Sequence, residues 1–218
     1  MIVVAGPPGS GKSSRFRLSY YEVDCFNADD RAAELNLGSY RRISAEIRTR
    51  VNLEFQEWIL EHIRASQSFA IETTLRDPIT FEQARLAREH GFRTAMEYVM
   101  AGSVEECVRR IMERSYRGGH SASERLVRQI CEKSTRNLLT ALNFGESGFE
   151  VVRIYDNSEV GGDVKQVLGF RRGWPQSIAA EIPAWLESLF KGTKFEIASL
   201  QRSLRGAPRS NNRQWEDE

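Results

Sequence analysis

The sequence predicts an α/β fold: a five-stranded, mainly parallel sheet flanked by helices, with a helical lid. Three observations carry this. Short apolar runs rich in β-branched residues recur along the chain, helical patterns separate them, and a glycine-rich loop follows the first run directly. The runs IVVA (2–5), CFNA (25–28), SFAIET (68–73), RTAMEYVMA (93–101) and FEVVRIYDN (149–157) read as the five strands. Between the second and third, Ile47, Val51, Phe55, Trp58, Ile59 and Ile63 recur every three or four residues, as do Phe81, Ala84 and Leu86 before the fourth. Strands alternating with helices imply a parallel sheet covered on both faces. From 103 to 143 the pattern changes to two consecutive helices joined at Gly118 and Gly119, which is the candidate lid.

After Ser158 the pattern weakens. VKQVLGF reads as a short helix, and PAWLESLFKG as a terminal helix with Pro183 in its first turn. Residues 1–200 are expected to form one domain and 201–218 a flexible C-terminal tail. The 218 residues suffice for a substantial core, and a net charge of +1 excludes a polybasic or strongly acidic chain. No stretch approaches 18 consecutive apolar residues, and the first apolar run is too short for a signal peptide, so a cytoplasmic protein without membrane contact is expected. Cys25, Cys107 and Cys131 are widely spaced and form no CxxC, the pattern of core thiols rather than of disulfides or a zinc site.

The strongest chemical signal is GPPGSGKS, Gly6 to Ser13, which matches GxxxxGK[ST] between a strand and a helix pattern. Phosphates need many donors at close range. Gly6, Gly9 and Gly11 let the backbone curl so that successive N–H groups point inward. Gly6, Pro7, Pro8, Gly9, Ser10, Gly11, Lys12, Ser13 and Ser14 thus form the nucleotide-binding segment of a P-loop fold. Lys12 reaches the β- and γ-phosphates of ATP or GTP, the Ser13 hydroxyl ligates Mg²⁺, and the following helix adds its positive end.

Ligands of α/β sheets lie at the carboxyl ends of the strands. Asp29, just beyond the second strand, is the candidate to orient an acceptor hydroxyl and take its proton; the competing reading has Asp29 or Asp30 capping the helix DDRAAEL. Glu72 at the third strand end is a candidate to bind substrate hydroxyls or to hold Mg²⁺ through water, and Thr74 and Arg76 are candidates for substrate contact, against a plain strand residue and a solvated loop charge. Arg110, Arg114 and Arg117 form one helical stripe, with Arg109 about 100° away. They offer catalytic cations to a phosphoryl-transfer transition state, or a solvated face paired with Glu106 and Glu113. His120 contacts phosphate or acceptor, or is a loop residue, and Asn157 after the last strand borders the nucleotide base or is part of an ordinary turn.

GPPGSGKSS, FNADD, IETTLR, YVMAGSVEECVRRIMERSYRGGH and IYDNS, in that order over residues 2–158, resemble the zeta toxin family of P-loop kinases. The resemblance implies a nucleoside triphosphate, Mg²⁺, and phosphorylation of a hydroxyl on a UDP-activated amino sugar, chiefly UDP-N-acetylglucosamine. It places the phosphate-binding lysine at Lys12, the catalytic aspartate at Asp29, the substrate contacts at Glu72, Thr74 and Arg76, and the transition-state arginine at Arg110 or Arg114. His120 falls where some members carry a second lid arginine. No antitoxin segment precedes the first strand, so a possible antitoxin is expected as a separate chain. Two other readings compete: a kinase for another metabolite or a nucleic-acid end, and a nucleotide-gated binding module. The first 160 residues hold no sustained basic groove interleaved with aromatics, which speaks against nucleic acid. No hydrophobic strand ends in a dedicated Mg²⁺-binding Asp followed by a water-orienting Gln, which weakens the binding module.

Overall fold

Strand pairing starts at β1 (Ile2–Ala5), which lies between β3 (Phe69–Thr73) and β4 (Ala95–Met100), parallel to both. The computed structural model describes residues 1–116, 122–159 and 161–206. β2 (Asp24–Phe26) extends the sheet beyond β3, and β5 (Val151–Asp156) pairs parallel with β4. Two further strands, β6 (Lys165–Arg171) and β7 (Trp174–Ile178), continue antiparallel, giving the order β2-β3-β1-β4-β5-β6-β7.

Among the described residues the sheet therefore has seven strands where the sequence predicted five. VKQVLGF, expected as a helix, is β6. Arg172 and Gly173, with φ of 50° and 80°, join β6 to β7 in a two-residue turn of the kind that matches strand twist. The proline in β7, Pro175, is tolerable because β7 is the edge strand.

The connections are α1 (Lys12–Arg15), a 3-10 turn (Leu18–Tyr21), α2 (Ala28–Leu35), α3 (Ala45–Arg64) and α4 (Ile79–Glu89). Then come α5 (Val104–Tyr116), α6 (Glu124–Ala141) and α7 (Phe144–Ser147). Beyond the sheet lie α8 (Ala184–Phe190) and α9 (Ile197–Gly206). The tail expected from residue 201 is corrected by α9: its amphipathic residues, with Leu200 buried, carry the helix to Gly206. Residues 207–218 of that expectation lie outside the described residues.

The sheet's two faces are unequally covered. Val3, Ala5, Phe69, Ile71, Met96, Tyr98, Val152 and Ile154 share one large core with α3 to α6. On the other side Val4 and Ala70 meet only a small cluster with Leu18, Phe16, Tyr21 and Val23, because the chain after α1 is a short turn and not a long helix. The lid candidates are themselves packed: Cys107, Val108 and Ile111 of α5 and Val127, Cys131 and Leu138 of α6 are buried. Ser134 of α6 also meets the Tyr98 hydroxyl at 3.1 Å. Cys25, expected in a core, is exposed on β2. No described helix is long and apolar enough to cross a membrane.

Candidate active site

The loop between β1 and α1 is shaped by close packing behind it. At Gly9, with φ 78°, a Cβ would stand 2.5 Å from the carbonyl oxygen of Cys107 in α5. At Gly11, with φ 96°, it would stand 2.2 Å from the Asn157 amide nitrogen. Any side chain would push the loop off its supports. The Ser10 hydroxyl is buried and has no hydrogen-bond partner among the described residues. The helix that follows is one turn long, so the dipole expected from it contributes little and the donors are the loop amides and Lys12.

Lys12, 6% exposed, donates from Nζ to the Pro7 carbonyl at 3.1 Å and lies 3.9 Å from Glu72 Oε1. Burial pulls its ammonium below the ordinary value of 10.5, with Glu72 the strongest opposing charge and Asp29 a weaker one. The Ser13 hydroxyl donates to the same Glu72 oxygen at 3.0 Å. Parallel pairing explains the meeting: Val4 is in register with Glu72 and Ala5 with Thr73, so the end of β3 runs beside the start of the loop. The structure thus brings Lys12, Ser13 and Glu72 together. A hydroxyl and a carboxylate are hard oxygen donors of the type Mg²⁺ prefers.

Asn27 answers the capping question at α2. Its Oδ1 accepts from the N–H of Asp29 at 3.0 Å and of Asp30 at 3.3 Å, so neither aspartate side chain is needed as the cap. Asp29 is exposed at the head of the helix, within electrostatic reach of Lys12. Asp30 accepts from the Tyr40 hydroxyl at 2.8 Å. That bond raises the Tyr40 phenol above its usual value, Asp29 adds to the rise, and Arg114 of α5 opposes it. Tyr40 is therefore bonded to Asp30 and lies within electrostatic reach of Asp29 and Arg114. Sequence reading missed it, and an aromatic in the polar stretch NLGSYRR was the available signal.

The turn after β3 is strained. Leu75 is fully buried with φ 55°, a conformation costly for a branched side chain. Its N–H donates to Thr73 Oγ1 at 3.1 Å, and its carbonyl accepts from Asn137 Nδ2 on α6 at 2.8 Å. Sinking Leu75 leaves its neighbours Thr74, half-buried, and Arg76, exposed, to the surface at the strand end.

The α5 arginines have separate surroundings. Arg109 is bound to Glu106 and Glu113 on an exposed face, the solvated arrangement. Arg110, 20% exposed, donates to Glu106 at 2.6 Å and to the carbonyl of Asn157, the residue whose side chain holds the glycine loop, at 2.9 Å. Arg114 is exposed and has no carboxylate within ion-pair distance among the described residues. Arg117 and His120 lie outside the described residues. The Asn157 side chain donates to the Ser10 carbonyl at 2.8 Å.

No family model matches the chain, and no curated protein matches it. Solved structures do. A chain from the PezAT chromosomal toxin–antitoxin system of Streptococcus pneumoniae superposes with a TM-score of 0.59 at 16% identity, covering 94% of this chain and 83% of that one. The AvrRxo1-ORF1:ORF2 structure with ATP gives 0.60 at 13% identity, covering 97% of this chain and 65% of that one. At such identities the likeness is one of fold. The shared fold is a mainly parallel α/β sheet flanked by helices.

Proposed function

We propose that this chain is a zeta toxin-like kinase that transfers the γ-phosphate of ATP, or GTP, to a hydroxyl of a small-molecule acceptor. The acceptor class is a UDP-activated amino sugar such as UDP-N-acetylglucosamine. The observation that carries the reading is the convergence of Lys12, Ser13 and Glu72 beside a glycine loop whose buried Ser10 hydroxyl has no partner among the described residues. Occurrence of the fold in a toxin–antitoxin system and in a structure holding ATP supports it.

The loop amides and Lys12 bind the phosphates, Lys12 giving up its contact with Pro7. Ser13 and Glu72 would hold Mg²⁺, which when bound would supply positive charge to offset that of the phosphates. Asp29 accepts a hydrogen bond from the acceptor hydroxyl, orients it, and takes its proton as the new O–P bond forms and the bond to the bridging β,γ-oxygen breaks. Thr74 and Arg76 contact the acceptor. Arg110, held at the Asn157 carbonyl, stabilises the transferring phosphoryl group, and Arg114, within electrostatic reach of Tyr40, serves the acceptor side. Arg117 and His120 complete the acceptor side. A separate antitoxin chain is the proposed partner, and the cytoplasm the proposed location.

The test is UDP-N-acetylglucosamine incubated with ATP and Mg²⁺, the product identified by mass spectrometry. The wild type should form the phosphorylated sugar nucleotide. Asp29→Asn should still bind ATP but turn over far more slowly; an unchanged rate would remove Asp29 from the mechanism.

A further inference from the structure

The passage after β5 is densely bonded. Asp156 is buried, and its Oδ1 accepts from the indole Nε1 of Trp185 on α8 at 2.8 Å. Its Oδ2 accepts from the hydroxyl and the N–H of Ser158. Asn157, between them and 5% exposed, donates its N–H to the Met100 carbonyl at the end of β4 at 2.7 Å. Its side-chain amide donates to the Ser10 carbonyl at 2.8 Å, and its own carbonyl accepts from Arg110 at 2.9 Å. Three consecutive residues thus join the phosphate loop, a strand end, α5 and α8.

The geometry points to Asn157 as a positioning residue for the nucleotide phosphates, with Trp185 as its remote anchor, so that α8 is coupled to the phosphate loop. In a trans peptide the C=O and the following N–H point in opposite directions. Pinning the Ser10 carbonyl to Asn157 therefore fixes the Gly11 N–H on the other side of the peptide plane. Gly11, with φ 96° and no side chain, offers little resistance to rotation of that plane. The Asn157 amide supplies the resistance. Its own position is set by the Asp156–Ser158 and Asp156–Trp185 bonds, and the loop closes on it because Gly11 has no Cβ to meet it. The same residue holds Arg110, so loop and arginine share one mount.

The inference rests on the nucleotide reading of the loop, and the experiment separates the two. Binding of ATP with Mg²⁺ is titrated for wild type, Trp185→Phe, which keeps an aromatic ring and loses the indole N–H, and Asn157→Ala, alongside thermal midpoints. Trp185→Phe should weaken ATP at least about fivefold, the lower end of couplings between linked sites, and Asn157→Ala should weaken it further. A purely structural role would lower the midpoints and leave the affinity of the folded protein unchanged. Should the variants fold poorly, unmodified protein answers through reciprocity: ATP should slow amide exchange in residues 184–190. Wild type that binds no ATP overturns both readings. Wild type that binds ATP, with Trp185→Phe binding equally well or with exchange in 184–190 unmoved, overturns this one alone.

Discussion

Gly9 and Gly38 form a matched pair that isolates the packing of the phosphate loop. Their φ values are 78° and 81°, so replacing either by alanine imposes the same left-handed backbone cost, about 1–2 kcal/mol. The unfolded chain loses the same entropy in both cases, a common offset of about 0.4–1 kcal/mol. Around Gly38 an added Cβ meets nothing within 4 Å. At Gly9 it meets the Cys107 carbonyl oxygen at 2.5 Å and the carbonyl carbon and Cα at 3.1 Å, all backbone of a core-packed helix. Overpacking of that kind costs about 1–3 kcal/mol. Gly9→Ala should therefore be less stable than Gly38→Ala by about 2 kcal/mol, or roughly 4–8 °C in midpoint for a chain of this size. Urea unfolding with unchanged slope measures the difference. Gly9→Ala should also lose ATP affinity, because relief of the contact moves the loop away from α5, whereas Gly38→Ala should keep it. Coincident urea midpoints would refute the claim that α5 shapes the loop.

Burial holds the Lys12 ammonium below 10.5, so the folded protein releases this proton before the unfolded chain does. Stability without nucleotide should then rise with pH between the lowered value and 10.5; Lys12→Met should abolish that rise, stabilise the protein near neutral pH and eliminate ATP binding, all readable from urea midpoints and titrations across that range. Arg110→Ala should cut phosphate transfer by about a thousandfold, the low end of what a transition-state arginine supplies, while Arg109→Ala, removing only exposed pairs, should change it little in the same assay. Asn137→Ala strips the Leu75 carbonyl of its partner and should cost about 1–3 kcal/mol in chemical denaturation.

The parts of this molecule that a one-dimensional pattern encodes were legible in advance. β1, β3, β4 and β5 are apolar runs, and the phosphate loop is a contiguous motif whose glycines report backbone demands directly. The antiparallel hairpin was not, because Val167, Leu168 and Phe170 satisfy a helical spacing as well as a strand's, and the deciding residues, Arg172 and Gly173, reveal themselves through φ. Asp29 was legible as a candidate, yet its freedom from capping depends on Asn27 accepting both N–H groups. Long-range partners carried no sequence signal: Asn137 is 62 residues from Leu75, and Asn157 is 147 from Ser10. The separation of Arg109 from Arg110, one residue apart, follows from which face of α5 meets the loop.

In the proposed reaction phosphate leaves a nucleotide held by Lys12 and arrives on a small-molecule hydroxyl. The measurement that reaches it most directly follows the label of γ-labelled ATP, with Mg²⁺, into a panel of UDP-sugars and common metabolites, beside Lys12→Ala. Label should appear on UDP-N-acetylglucosamine with the wild type and stay on ATP with the variant. Label on another metabolite would keep the kinase and discard the amino-sugar acceptor. Label released only to water, or transfer that persists without Lys12, would contradict the account.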